Sequence, residues 1–421
     1  STLTLGGALS DGAGVFTLTK VGAGTLVLGN AANTYDGGTF VNGGTLSTSS
    51  DAGLGAASSQ VTLNNGGKLV ITSNTTSGRT FNLNTGSLQV AAGATLTYVS
   101  ATVNGGFLRG PGAHAIGANS TFSGVTALSG NTITQSFPTT LSNFTNSGSF
   151  ISNALLTWDG GYNTSAGTLT INDAFNITAF ENTGIVNVNN GGLLSNTANN
   201  FVSGGGSRIT VNPSGQINLN STAMDLNGAL LINNGTITGA TNVNYGSLAK
   251  GSGVYGAVNV LDGGKFSPGN SPGFVTTGSV SWNPGGNYTV EMSDALGAPG
   301  TGWDLWNIAG DLLTNASTDP SGRFTISLAS LAGNSPGFAA NFDNTRDYSW
   351  LILRADDGIL GFDPAQLALD VSGFRNNLGG GHFALESSST DLYVRFAAVP
   401  EPAAIGLFVV AALWSARRRR F

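Results

Sequence analysis

Asp159 and Glu181 stand 22 residues apart. If the chain coils with a period near that spacing, the two carboxylates come within about 5 Å of each other, close to the separation at which a carboxylate pair hydrolyses a glycosidic bond with retention. Trp158 and Tyr162 flank Asp159 and offer rings for stacking on a sugar, and Arg208 could supply a cation in the same groove. The blander reading is a turn aspartate in Trp-Asp-Gly-Gly-Tyr and a solvated glutamate before an Asn-Thr-Gly turn. It weighs more, because no cleft of perturbed carboxylates is legible. Other chemistry is sparser. Asp356-Asp357-Gly358 has oxygen ligands for calcium but lacks the spaced ligands of a calcium loop and reads as a turn. Gly204-Gly205-Gly206 lacks the Lys-Ser/Thr and the following helix of a phosphate-binding loop. His114 and His382 have no evident relay partners and read as ordinary surface or turn residues. No catalytic residue, metal ligand or cofactor is expected.

Composition points the same way. Of 421 residues only 9% are charged, against about 25% in ordinary domains. Glycine supplies 64 residues and asparagine 43. Cysteine is absent, which excludes thiol catalysis and disulfide frameworks. The 16 lysines and arginines are thinly spread, so a nucleic-acid-binding face is not expected. Residues 1–250 hold 7 acids and 6 bases, whereas residues 251–416 hold 15 acids and 6 bases. The body is therefore neutral and the region after it acidic.

A short motif recurs: an apolar residue, Asn or a similar polar residue, Gly, then polar and apolar residues. It reads VNGGTL from Val41, LNNGGKL from Leu63, LNTGSL from Leu83 and VNGGFL from Val103, and returns from Val188, Val211, Ile232, Val243 and Leu261. The starts are 20–23 residues apart where the motif is well formed, and the signal blurs between 104 and 187. Asn-Gly and Gly-Gly favour turns through positive φ. The flanking segments alternate with period two, as in Thr25–Leu28, and predict short strands with one buried face. A β-sandwich would also show frequent turns, but the fixed recurrence favours a parallel β-solenoid. About 250 residues make roughly 12 coils stacked at about 4.8 Å. The first four motif starts are expected in one column, with asparagines laddered at the corners.

Lys20 to Leu46 reads KVGAGTLVLGNAANTYDGGTFVNGGTL. It resembles the autotransporter-associated β-strand repeat, K-x-G-x-G-T-L-x-L followed by N-T-Y-x-G-G-T-x-V-x-x-G-T-L, and departs from it at Asn30–Ala32. Only one full copy is present. The resemblance implies a right-handed β-helix of an exported protein and names no chemistry. FSPGNSPGF from Phe266 resembles a segment of surface β-helix proteins that precedes a less regular, acidic region.

The end of the sequence, VPEPAAIGLFVVAALWSARRRRF, resembles the PEP-CTERM sorting signal of Gram-negative bacteria through Pro400, Glu401, Pro402, an apolar stretch and Arg417, Arg418, Arg419 and Arg420. The resemblance implies an exosortase-type membrane processing enzyme as partner and association with extracellular polysaccharide. Ala403–Ala416 is uncharged and predicts a short helix of about 21 Å, with the arginines held on the cytoplasmic side of the inner membrane before processing. No leader is legible at Ser1, so the sequence reads as a fragment or a chain whose leader has been removed.

The expectation is therefore an all-β chain: a right-handed parallel β-helix over 1–266, a less regular β region over 267–396 that continues or caps it, a linker over 397–402, and an apolar helix with a basic tail over 403–421. The expected function is that of an exported, non-enzymatic cell-surface or extracellular-matrix protein, structural or adhesive and tethered before sorting. The alternative is a polysaccharide-acting β-helix enzyme, a lyase or glycosidase.

Overall fold

The computed structural model describes Ser1–Val399. Pro400–Phe421, which hold the predicted sorting motif, apolar helix and arginine tail, lie outside the described residues. The described chain is all-β, and its only helical elements are the 3₁₀ turns Asp51–Leu54, Pro320–Gly322 and Pro364–Gln366. It divides into two compact units, 1–264 and 265 onward.

The first unit is a parallel β-solenoid. Its back sheet stacks ten short strands from Thr75–Ser77 to Leu248–Gly251. Thr95, Ala113, Thr132, Ser149, Thr168, Ile185, Arg208, Leu230 and Leu248 form one column. Spacings along it run from 17 residues (132 to 149) to 23 (185 to 208), and between 95 and 185 none exceeds 19. That contraction is why the repeat blurs in the sequence there. In each coil the chain also crosses a front sheet in two short segments, joined or separated by a glycine-rich corner.

The residues of the one complete repeat each hold a specific place. Lys20 is buried, and its Nζ donates to the carbonyls of Val21, Gly22 and Gly43 at 2.9, 2.6 and 3.1 Å, closing two neighbouring corners. Gly44 must lack a side chain: a Cβ there would sit 2.4 Å from the oxygens of Gly22 and Gly24 and 2.7 Å from Lys20 Nζ. Asn33 accepts from Leu9 N and donates to Gly53 O, both at 2.8 Å, so it ties the coil before to the coil after. The Tyr35 hydroxyl is buried against Thr39 Oγ1 at 2.8 Å.

Asparagine ladders run along the coils. On the outside, Asn64 donates to Asn42 and Asn84 to Asn64; further on, Asn172 donates to Asn153, Asn189 to Asn172 and Asn212 to Asn189. Inside, the sense reverses: Asn146 donates to Asn163, Asn163 to Asn182 and Asn182 to Ser203, all buried. The inner ladder satisfies amides that burial would otherwise penalise.

One expected alignment fails. Val41 pairs with Leu63, and the Asn84–Asn64 bond carries that register to Leu83. Val103, however, pairs with Phe81, and the register shifts twice across Asn104–Phe107. Leu83 is thereby squeezed inward as an extra residue and is fully buried. Gly106 makes room for it, since a Cβ there would lie 2.4 Å from Leu83 Cβ.

The interior is apolar and ring-filled. Trp158 packs at 5.3–5.8 Å from the rings of Phe144, Phe150, Phe175 and Phe180, and its Nε1 donates to Phe144 O at 3.1 Å. His114 corrects its sequence reading as a surface residue. It is fully buried and stacked on Tyr98, because its strand position, between Ala113 and Ala115, faces inward. Its Nε2–H donates to Arg109 O at 3.3 Å, which leaves Nδ1 to accept from the Tyr98 hydroxyl at 2.8 Å. Burial pushes the imidazole down to about 4. In the unfolded chain it titrates near 6.5, so between these values the unfolded state binds the extra proton. Stability is expected to fall as pH drops from about 6.5 towards 4, by about 3 kcal/mol in all. Urea unfolding across that window should show this slope in the wild type. His114→Leu should remove it; a slope unchanged by the substitution would contradict the assignment.

The second unit begins with parallel coils. Asn287–Met292, Phe324–Ala332 and Leu367–Gly373 pair in parallel, as do Phe274–Thr277 with Leu305–Ile308. It ends differently: Asp391–Ala397 lies antiparallel between Tyr348–Ala355 and His382–Ser387. Trp282, Trp306, Trp350 and Tyr288 form its buried core. Asp304 is fully buried, accepts from Gly273 N at 2.6 Å and Glu291 N at 2.9 Å, and has its carboxyl pushed well up by burial.

Candidate functional site

The front sheet carries outward columns with few charges. Thr80, Thr102, Thr121, Thr140, Thr157, Asn176, Ser195, Asn218 and Thr238 occupy one column. Stacking hydroxyls and amides avoids the repulsion that aligned like charges would bring.

The carboxylates singled out in the sequence lie on this sheet but are not paired. Asp159 follows Trp158, which pairs with Ile177, and Asp159 accepts from Thr178 Oγ1 at 2.6 Å. Glu181 pairs with Tyr162. The coil here advances 19 residues, not 22, so the two acids fall in different columns. Arg208 is on the back sheet beside Ile185. The expected groove of two acids and a cation is therefore not assembled. Trp158 is fully buried and cannot stack on a ligand.

The other candidates lie apart. Asp356 and Asp357 form the turn between Tyr348–Ala355 and Gly358–Leu360. Gly205 and Gly206, both with positive φ, donate to the carbonyls of Asn227 and Gly228. His382 is exposed at the start of its strand. Among the described residues no group of three His, Asp or Glu could hold a metal ion.

What the front sheet does form is an open depression of about 510 Å³ between Tyr162, Glu181 and the Asn199–Asn200 ledge. Gly160, Gly161, Ala179, Phe180 and Val202 complete its lining. Gly161 pairs with the buried Phe180, and a Cβ on it would point inward and collide with Trp158 Nε1. Tyr162 is half-buried, with its hydroxyl on Thr183 Oγ1 at 3.0 Å. The ledge is held by Asn196, whose amide donates to Asn199 O, and by Asn200, which donates to Asp225 at 2.9 Å. Asn199 was missed in the sequence because its role depends on a loop that widens one coil.

Fold and surface together define an all-β parallel solenoid with a polar, sparsely charged exterior. Residues 18–47 match the Passenger-associated-transport-repeat family, the span that includes Lys20, Asn33 and Tyr35. Over 94 residues, 22% of this chain, the sequence is 45% identical to the adhesin BmaC autotransporter of Brucella suis biovar 1 (strain 1330). That stretch is 2% of the relative's length. Among solved structures, the crystal structure of a TibC-catalysed, hyper-glycosylated TibA fragment is 20% identical, with a TM-score of 0.24, over 80% of this chain and 96% of that one. Among the described residues no helix is long and apolar enough to cross a membrane.

Proposed function

We propose that this chain is an exported, non-enzymatic cell-surface or matrix protein whose solenoid serves a structural and adhesive role. The observation that carries this reading is a passenger-type repeat built into a parallel solenoid with a neutral hydroxyl- and amide-rich face. The similarity to a stretch of an autotransporter adhesin supports it. The sequence of residues 400–421 supports a finer proposal: Pro400-Glu401-Pro402, an uncharged stretch and Arg417–Arg420 act as a sorting signal. In that proposal the uncharged stretch holds the chain at the inner membrane until an exosortase-type enzyme removes it, and extracellular polysaccharide is the mature partner.

A version ending at Ala398, expressed in a host with the sorting machinery, tests this. It should keep the wild-type thermal midpoint yet fail to reach the surface. Surface protein still carrying Arg417–Arg420 would overturn the removable signal, and normal display of the truncated chain would overturn sorting through this tail.

A further inference from the structure

We propose that the depression between Tyr162, Glu181 and Asn199 is a binding site for a neutral pyranose unit of a polysaccharide, an assignment that rests on the surface-adhesion reading above. Three observations carry it. First, the site combines a ring with unspent polar groups. Glu181 is exposed and Asn199 is exposed, and no side-chain hydrogen bond within the protein engages either of them among the described residues. Tyr162 and Asn200 are by contrast fixed, through Thr183 and Asp225. A carboxylate accepts from two vicinal hydroxyls, an amide both donates and accepts, and a ring covers the apolar C–H face of a sugar. Second, Gly160, with φ +66°, adds no side chain to the lining beside Tyr162, so backbone there is open to a ligand between the tyrosine and the ledge. Third, the charge fits one class of sugar. No lysine or arginine lies between Arg109 and Arg208, and the acids there are Asp159, Asp173 and Glu181. Uronate, sulfated or phosphorylated glycans would meet negative charge with no cation to pair, whereas a neutral sugar uses the carboxylate as an acceptor.

The depression lies open, so a single unit binds weakly, and affinity for a polymer comes from repeated engagement by many copies on a surface. The free carboxylate without a general-acid partner fits binding and not cleavage.

The test uses the purified chain and isothermal titration with neutral oligomers of glucose, galactose and mannose, alongside an oligogalacturonate. At least one neutral oligomer should bind, with the uronate oligomer weaker by an order of magnitude. Tyr162→Ala and Glu181→Gln should each weaken binding on the order of tenfold. Tyr162→Phe, which keeps the ring, should retain most of it. Asp173→Asn, which alters a carboxylate outside the depression, should change nothing. Unchanged thermal midpoints would separate these effects from misfolding. Failure of every neutral oligomer to bind, or full binding by both Tyr162→Ala and Glu181→Gln, would overturn the site. Antibody labelling of intact cells distinguishes the two levels: a displayed protein that binds no neutral glycan loses only this site, and a protein absent from the surface loses the adhesive reading itself.

Discussion

Trp158→Ala is expected to lower the unfolding free energy of the solenoid by about 3–5 kcal/mol. Trp158 is fully buried among Phe144, Phe150, Phe175 and Phe180, so its removal leaves a cavity touching several coils. The surrounding backbone cannot close over it, because each strand is held by hydrogen bonds to the coil on either side. Coils couple mainly to their neighbours, so the loss is expected to concentrate between about residues 140 and 180. Hydrogen exchange should accelerate there first. Trp158 is the sole tryptophan of residues 1–264, so Trp158→Phe serves as a milder control. A loss below about 1 kcal/mol for the alanine variant would mean that the aromatic column is not a principal support.

Arg79→Ala is expected to have a comparable effect of about 3–5 kcal/mol, through a different mechanism. Arg79 is buried, and Nε bonds Asp51 Oδ1 at 2.8 Å. Nη1 donates to Ala56 O and to Ser59 O and Oγ, and Nη2 to Asp51 O and Gly55 O. One guanidinium thus satisfies the carbonyls of a loop that leaves the coil at Ser50 and returns at Gln60. Removing it strands those acceptors and the Asp51 carboxylate. Arg79→Lys should recover only a small fraction, since an ammonium cannot reproduce the planar fork. Urea unfolding gives the magnitude, and proteolysis between Asp51 and Ser59 should rise sharply. Wild-type resistance in the alanine variant would show that the loop stands without the clamp.

Much of the architecture was legible because it depends on local chemistry. Asn-Gly corners and period-two alternation set coil, corner and buried face without long-range information. The register was less so. Val103 carries the same local pattern as Leu83, yet the corner after it is packed against a surplus residue, and only the coil beneath decides which residue is surplus. The candidate site suffered in the same way. The 22-residue spacing of Asp159 and Glu181 matched the average coil, but the local coil is 19 residues, and that small difference suffices to move a side chain to another column. His114 was misread because the outward-facing Ala113 and Ala115 are apolar like the inward-facing Ile116, so no polar alternation marked which face 114 takes. Arg79 was invisible for a general reason: a lone arginine looks the same whether it is solvated or encircled by carbonyls.

The parallel stacking of the first unit also governs how it would yield to force. A pull along the coil axis loads the inter-coil hydrogen bonds and the asparagine ladders in line, so they separate coil by coil and not in shear across a whole sheet. Each detached coil of 17–23 residues would release about 55–75 Å of slack chain, while the remaining coils keep their register. A surface held by such chains would stretch in increments and dissipate energy at each one, and it would stiffen where Trp158 and its ring neighbours make a coil hardest to open.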